Sequence, residues 1–154
     1  MDLVQFEKFC QSKTPPAIHD LDDYFDSLLP LSLKDMIGNW KGGCFPTGSS
    51  FDKYLKKLPL LHWYGKRFQD ENKVNALMMQ AGNKVFGLPF FGSAVIRRLE
   101  YRGKVSVAMI YNYLPIIDHF RQIDDSTLMG IMTLKGRVEV YFYLQRVKEE
   151  LVYH

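Results

Sequence analysis

Acid–base chemistry is the first activity that the residue pattern suggests. Tyr111, Asp118 and Arg121 lie close together along the chain and could act as acid, base or oxyanion partner. His119 follows Asp118 directly, but neighbours on a strand point to opposite faces, so this pair cannot enter one pocket. Asp118, Tyr111 and Arg121 are therefore the candidate catalytic residues of an unknown reaction.

A second segment has the composition of a binding surface. Trp63, Tyr64, Lys66 and Arg67 place aromatic area beside cationic donors, which suits an apolar or aromatic molecule that carries an anionic group. The same residues fit a plainer interpretation, in which Trp63 or Tyr64 packs in the core and both cations face solvent. Both interpretations stay open.

Further candidate ligand contacts come from alternation along two extended segments. Met109 and Tyr111 share one face of the first segment, and Asp118 and Phe120 share one face of the second. Both faces of the first segment are mostly apolar, so the pattern does not say which face points inward. We take all four residues as candidates for lining a binding pocket.

Familiar catalytic motifs are absent from the sequence. It has no glycine-rich phosphate loop, nucleophile elbow, cysteine–histidine arrangement or metalloprotease motif. The four histidines are scattered and the cysteines lack zinc-site spacing, so we predict no metal and no cofactor. Haem is a less favoured alternative, for which His62 or His119 is the available axial residue.

The length and composition suit one globular domain. Its 154 residues can bury a stable core without the help of disulfides or a bound metal, and 47% of them are hydrophobic. Two cysteines are too few for a disulfide framework, which favours a reducing compartment. No run of about 18 apolar residues occurs and the start does not resemble a signal peptide. We therefore predict a cytoplasmic protein without a membrane span.

Charge is distributed unevenly along the chain. Residues 1–35 carry three lysines and seven acids, or −4, so the rest must carry +7 to reach the net charge of +3. This asymmetry predicts an acidic segment packed against a basic one. Because no dense Lys/Arg run or nucleic-acid-binding motif accompanies the positive charge, we predict no nucleic-acid partner.

The first 35 residues are predicted to be helical. Apolar residues recur at helical spacing from Leu3 onward, until two prolines interrupt the pattern. A second helix is predicted after this break, with Asp20 as its N-cap, and Ser32 with Asp35 predicts a short capped turn.

From residue 36 onward, strands dominate the pattern. A short glycine-rich strand comes first, followed by a small helix that Ser49 or Ser50 caps and that ends at Leu58. Later strands are predicted at residues 62–68, 77–81, 84–88, 94–101, 105–112, 116–123, 127–134 and 138–147. We therefore predict a mainly β (α+β) fold, a single antiparallel meander β-barrel over residues 36–154, with helices of residues 1–35 packed against or capping it.

The run Gly38-Asn39-Trp40-Lys41-Gly42 resembles the bacterial GXWXG-domain family. The agreement continues through GGCFPTG at 42–48, WYGKRF at 63–68, EYRG at 100–103, MIYN at 109–112, PIIDHFR at 115–121, DD at 124–125 and LKG at 134–136. The later part is similar to the domain of unknown function usually joined to it. The resemblance implies a lipocalin-like (calycin) barrel, with a GXWXG part at about 36–90 and a companion part at about 91–150 in one structural domain. It implies no particular activity.

Gly38, Trp40 and Gly42 are predicted to plug one end of this barrel. A large indole can close the end, while the two glycines let neighbouring chain pass close by. A later arginine could stack on the indole, and spacing does not choose among the arginines at 97, 121 and 146.

The leading functional hypothesis is a protein that binds an apolar or aromatic, possibly anionic, small molecule inside the barrel. The alternative is a lipocalin-like enzyme of isomerase, cyclase or dehydratase type, using Tyr64, Tyr111, Asp118 or Arg121. The run around Phe90 and Phe91 would suit a lid, a rim or a homodimer contact if exposed, although core burial is slightly favoured.

Overall fold

Short helices come first in the chain and strands follow. The computed structural model describes residues 3–47 and 62–148. The helices in these ranges are α1 (Leu3–Gln11), α2 (Ile18–Ser27) and α3 (Leu33–Met36). The strands are β1 (Gly38–Cys44), β2 (His62–Asp70), β3 (Lys73–Ala81), β4 (Lys84–Gly87), β5 (Ser93–Tyr101), β6 (Lys104–Tyr111), β7 (Ile116–Asp124), β8 (Thr127–Leu134) and β9 (Arg137–Arg146). The small helix predicted from Ser49 or Ser50 to Leu58 lies outside the described residues.

Eight of these strands close into an antiparallel barrel. β1 pairs with both β2 and β9, and the ladder runs from β9 through β8, β7, β6 and β5 to β3, which pairs back onto β2. β5 pairs with β3 only at Val74 and Asn75, and β4 takes the place beside the later part of β3. The predicted mainly β, lipocalin-like meander barrel is confirmed.

The sheet buries side chains on both of its faces. Phe68, Met109 and Phe120 belong to the cluster that fills the barrel interior. Ile123 and Met129 lie on the outer face and pack beneath the first two helices. Each fully buried apolar side chain of this size contributes about 1.5–3 kcal/mol from burial, so both clusters stabilise the fold.

The acidic helix α2 is attached to the barrel by arginines. Arg102 Nε lies 2.7 Å from Asp26 Oδ1, and Arg121 donates a hydrogen bond of 3.0 Å to the Phe25 carbonyl oxygen. The Arg121 guanidinium also lies 4.4 Å from the centre of the Phe25 ring. The uneven charge of the sequence is thus matched across the helix–barrel contact.

The helix starts show one prediction confirmed and one wrong. Ser32 and Asp35 form the reciprocal capping box at α3. The N-cap of α2 is Ala17 rather than Asp20, with no side-chain cap hydrogen bond. The helix therefore starts one turn earlier than predicted. Asp20 lies in its first turn, where its negative charge interacts favourably with the positive end of the helix dipole.

Trp40 is buried where α3 leads into β1. Its Nε1 donates a hydrogen bond of 2.9 Å to the Met36 carbonyl oxygen, and the Arg146 guanidinium stacks 4.2 Å from the centre of its ring. Gly38 has a φ of +133°, and a Cβ there would crowd the Arg146 guanidinium. Of the three arginines that could stack on the Trp40 indole, Arg146 is the one that does so.

Candidate functional site

A cavity of about 270 Å³ lies inside the barrel. Among the described residues, its wall is apolar except for one lysine, one tyrosine and one aspartate. It is lined by Cys44, Trp63, Lys66, Leu77, Met79, Leu88, Tyr111, Leu114, Ile116, Asp118, Met132, Val140 and Phe142. Trp40 does not line it, because β1 carries Trp40 near one end of the barrel and Cys44 four residues further along.

A buried ion pair supplies the charge in this cavity. Lys66 Nζ lies 3.0 Å from Asp118 Oδ2, with the side chains 4% and 1% exposed. Lys66 also donates to the Ala76 carbonyl oxygen at 3.3 Å and to the Tyr111 hydroxyl at 3.5 Å. Its ammonium group lies 5.1 Å from the centre of the Trp63 ring. The charge is thus neutralised and partly surrounded by aromatic faces.

Asp118 keeps an unused hydrogen-bonding position. Its Oδ1 accepts no hydrogen bond from any residue in the described ranges. Burial raises the pKa of Asp118, and the neighbouring Lys66 opposes that shift. Burial, together with the charge of Asp118, holds the pKa of Tyr111 well above its ordinary value. The cavity therefore combines a free acceptor oxygen with a protonated phenol.

A β-bulge brings Lys66 to the same face as Trp63. The two residues are three positions apart, so a regular strand would point them to opposite faces. The β2–β3 register shifts between Trp63 and Gly65, and again before Arg67. The extra residue of a bulge reverses the alternation, and both side chains line the cavity.

Gly42 makes room for the Trp63 indole. Gly42 lies two residues after Trp40, and a Cβ on it would overlap the six-membered ring of Trp63. The indole is held in this place by a hydrogen bond of 3.2 Å from Nε1 to the Ala76 carbonyl oxygen. The second glycine of the motif therefore shapes the cavity wall.

The predicted binding residues divide into three groups. Trp63, Lys66, Tyr111 and Asp118 line the cavity. Met109 and Phe120 belong to the interior cluster but do not line the cavity. Tyr64 and Arg67 are partly buried and also lie outside the lining.

Arg121 and His119 lie on the opposite face of β7 from Asp118. Arg121, a predicted catalytic candidate, contacts α2 and does not reach the cavity. His119 stacks on Tyr101 with ring centres 3.6 Å apart. Burial and the nearby charge of Arg121 lower the pKa of His119 to about 4. Strand alternation therefore separates Asp118 from His119.

Most of the apolar lining was missed by sequence reasoning. Ile116 shares its strand face with Asp118, and Cys44 comes two residues after Gly42, so alternation could have identified both. Leu88 and Leu114 lie beyond the ends of their strands, where alternation has no meaning. Loop geometry brings them to the cavity.

Phe90 and Phe91 are exposed, which contradicts the expectation that they are buried. Each is 54% exposed, and Phe90 stacks on Tyr113 with ring centres 4.0 Å apart. A tight turn, closed by a hydrogen bond of 2.8 Å from the Phe91 amide to the Pro89 carbonyl oxygen, keeps both rings outside the two clusters. Phe90 comes shortly after the cavity residue Leu88 in the sequence, and its stacking partner Tyr113 directly precedes the cavity residue Leu114.

The described part of the chain contains neither a metal-binding cluster nor a membrane-spanning helix. No group of three or more His, Cys, Asp or Glu side chains in residues 3–47 and 62–148 could hold a metal ion. Across the same ranges, no helix has the length and apolarity to cross a membrane.

Two family models and one solved structure are similar to this chain. Residues 23–84 match the model described as GXWXG protein, and residues 92–146 match the model described as domain of unknown function (DUF4334). No curated protein matches the chain. The crystal structure of a protein from Thermomonospora curvata is 34% identical, with a TM-score of 0.83, and the match covers 96% of this chain and 100% of that one. Lys66 and Asp118 lie in different matched regions, so both regions are needed for the ion pair.

Proposed function

This chain belongs to the family that the GXWXG and DUF4334 models describe, and from that premise we propose that its barrel binds a small, mainly apolar molecule with one polar group. The observation that carries the proposal is the free Oδ1 of Asp118 in a mainly apolar cavity. A buried carboxylate oxygen without a donor is destabilising, and a ligand hydroxyl or N–H group would satisfy it. Binding would thus relieve an unfavourable feature of the empty protein.

The volume of the cavity limits the size of the ligand. An apolar cavity of about 150 Å³ accommodates benzene. In proportion, the 270 Å³ available here suits a molecule of about ten to twelve non-hydrogen atoms. Fused aromatic alcohols and short branched alcohols have this size.

A neutral polar group suits the site better than an anion. The charge of Lys66 is already matched by Asp118 at 3.0 Å. A ligand carboxylate would bring a second negative charge beside Asp118 in a low-dielectric interior. Arg67, which was predicted to help bind an anionic group of the ligand, does not line the cavity. We therefore assign a neutral polar group to the ligand. A hydroxyl can donate to Asp118 Oδ1, and a carbonyl oxygen can accept from the Tyr111 hydroxyl, which also lines the cavity.

Acid–base catalysis is the second candidate function. It is favoured by the convergence of Tyr111 and Asp118 on one cavity, with both pKa values raised. These two groups could move a proton across a bound molecule, as an isomerase, cyclase or dehydratase requires. Arg121 is outside this site and has no part in the candidate mechanism.

Calorimetric titration with 2-naphthol tests the binding proposal. We expect saturable 1:1 binding, with weaker binding of 2-methoxynaphthalene because it has no donor for Asp118. Val140→Trp should fill the cavity and weaken binding by about tenfold or more, whereas Val138→Trp, an exposed position on the same strand, should not. Absence of saturable binding to either compound, or equal binding by both variants, would refute the proposal.

A further inference from the structure

We propose that Lys66 forms a reversible imine with an aldehyde or ketone bound in the cavity. This proposal rests on the proposed binding function and specifies the ligand as a carbonyl compound of the size given above. The geometry that carries it is a buried primary amine in an apolar cavity, with a carboxyl group at 3.0 Å and a phenol at 3.5 Å.

The position of Lys66 is unusual for a lysine. Its side chain is 4% exposed, and within the described ranges no other lysine lines the cavity. A lysine amine becomes a nucleophile once its proton has been removed by a neighbouring base, and the Asp118 carboxylate lies 3.0 Å from Lys66 Nζ. Because Asp118 is adjacent, proton transfer within the pair gives a neutral amine and a neutral carboxylic acid without any net change of charge.

The condensation balances with the groups at hand. After Lys66 passes a proton to Asp118, the Nζ lone pair attacks the carbonyl carbon and the C=O π electrons move to oxygen. That oxygen takes the proton from Asp118. The Nζ atom, which now carries a positive charge, then gives one of its protons back to Asp118, and the product is a neutral carbinolamine. Asp118 then protonates the hydroxyl, the C–O bond breaks, water leaves, and the nitrogen lone pair completes the C=N bond.

The charges before and after the reaction are the same. Ammonium, carboxylate and carbonyl compound become iminium, carboxylate and water. The iminium replaces the ammonium as the ion that pairs with Asp118, so no uncompensated charge is created in the low-dielectric interior. Tyr111 is protonated and can donate a hydrogen bond to the carbonyl oxygen, which makes the carbon more electrophilic.

Reductive trapping tests the proposal directly. The full-length protein is incubated with 2-naphthaldehyde and sodium cyanoborohydride, and the label is located by peptide mass mapping. We expect one naphthylmethyl group on Lys66, formed about tenfold or more faster than on any other lysine. Excess 2-naphthol should suppress this labelling by occupying the cavity. Lys66→Arg should abolish it, whereas Lys73→Arg on the exposed part of β3 should not.

The outcomes separate this proposal from the binding proposal. If 2-naphthol binds saturably but the label is spread over surface lysines, the imine proposal is refuted and the binding proposal stands. If 2-naphthol does not bind, the binding proposal fails, whatever the labelling pattern. Mapping in the wild-type protein does not depend on the folding of any variant, and a saturable, naphthol-sensitive label on Lys66 supports both.

Discussion

Replacing Lys66 by methionine removes the positive charge that lies 3.0 Å from Asp118 Oδ2. The length of the side chain is nearly kept, so the main change is the loss of the counter-ion. Asp118 is 1% exposed and its Oδ1 already has no donor in the described residues. Without Lys66, the carboxylate must either stay charged in an apolar interior or take up a proton.

Protonation sets an upper limit to the loss of stability. Taking an unfolded-state pKa of about 3.9 and about 1.36 kcal/mol per pH unit, a native state with neutral Asp118 loses about 4 kcal/mol at pH 7 and about 1.5 kcal/mol at pH 5. The sign follows from linkage. Because the folded pKa lies above the unfolded one, the native state binds more protons, and its stability falls as pH rises from about 4 towards the folded pKa.

Urea unfolding of wild type and Lys66→Met at pH 5 and pH 7 measures this difference. We expect Lys66→Met to be less stable than wild type by up to about 4 kcal/mol at pH 7 and by distinctly less at pH 5. Lys66→Met/Asp118→Leu should remove the pH-dependent part, because the carboxyl group that changes protonation is gone. The reasoning is wrong if Lys66→Met loses under about 1 kcal/mol at pH 7, or the same amount at both pH values.

Three further outcomes are expected. Gly42→Ala should push the Trp63 indole into the cavity and weaken 2-naphthol binding by about tenfold in calorimetry, whereas Gly43→Ala, which meets a tyrosine instead, should bind normally. Arg146→Met should lower the free energy of unfolding by about 1–3 kcal/mol, because it removes the cation–π contact with Trp40 and two hydrogen bonds to carbonyl oxygens; an unchanged urea midpoint would contradict this. Because the pKa of His119 is lowered to about 4, its neutral form stabilises the fold above pH 6.5. That stabilisation should be lost between pH 6.5 and 4 by up to about 3 kcal/mol relative to His119→Phe, and parallel pH profiles of the two proteins would refute it.

Local signals were enough to predict the elements and one part of the site. Strand alternation and turn residues placed the strands close to their observed bounds, except that β3 begins at Lys73, four residues before the predicted start. Antiparallel neighbours of this length close into a barrel. Ser32 and Asp35 predicted their capping box because that motif depends on four consecutive residues. Period-two alternation also separated Asp118 from His119 correctly, since β7 is regular there.

Other features depend on long-range packing, which the sequence pattern does not contain. β6 is apolar on both faces because one face fills the barrel and the other is covered, so alternation could not assign Met109 to the interior. Arg146 stacks on Trp40 because β1 and β9 pair in the register that places them opposite each other.

The sequence by itself determined that this chain forms an antiparallel barrel with aromatic, cationic and acidic groups on its strands. Only the tertiary structure decided which of those groups meet. A bulge before Lys66 reverses the face of β2, and barrel closure brings that strand opposite Asp118 on β7. Secondary structure follows from local backbone preferences. The ion pair joins positions more than 50 residues apart, and bulge and closure are set by packing of the whole sheet.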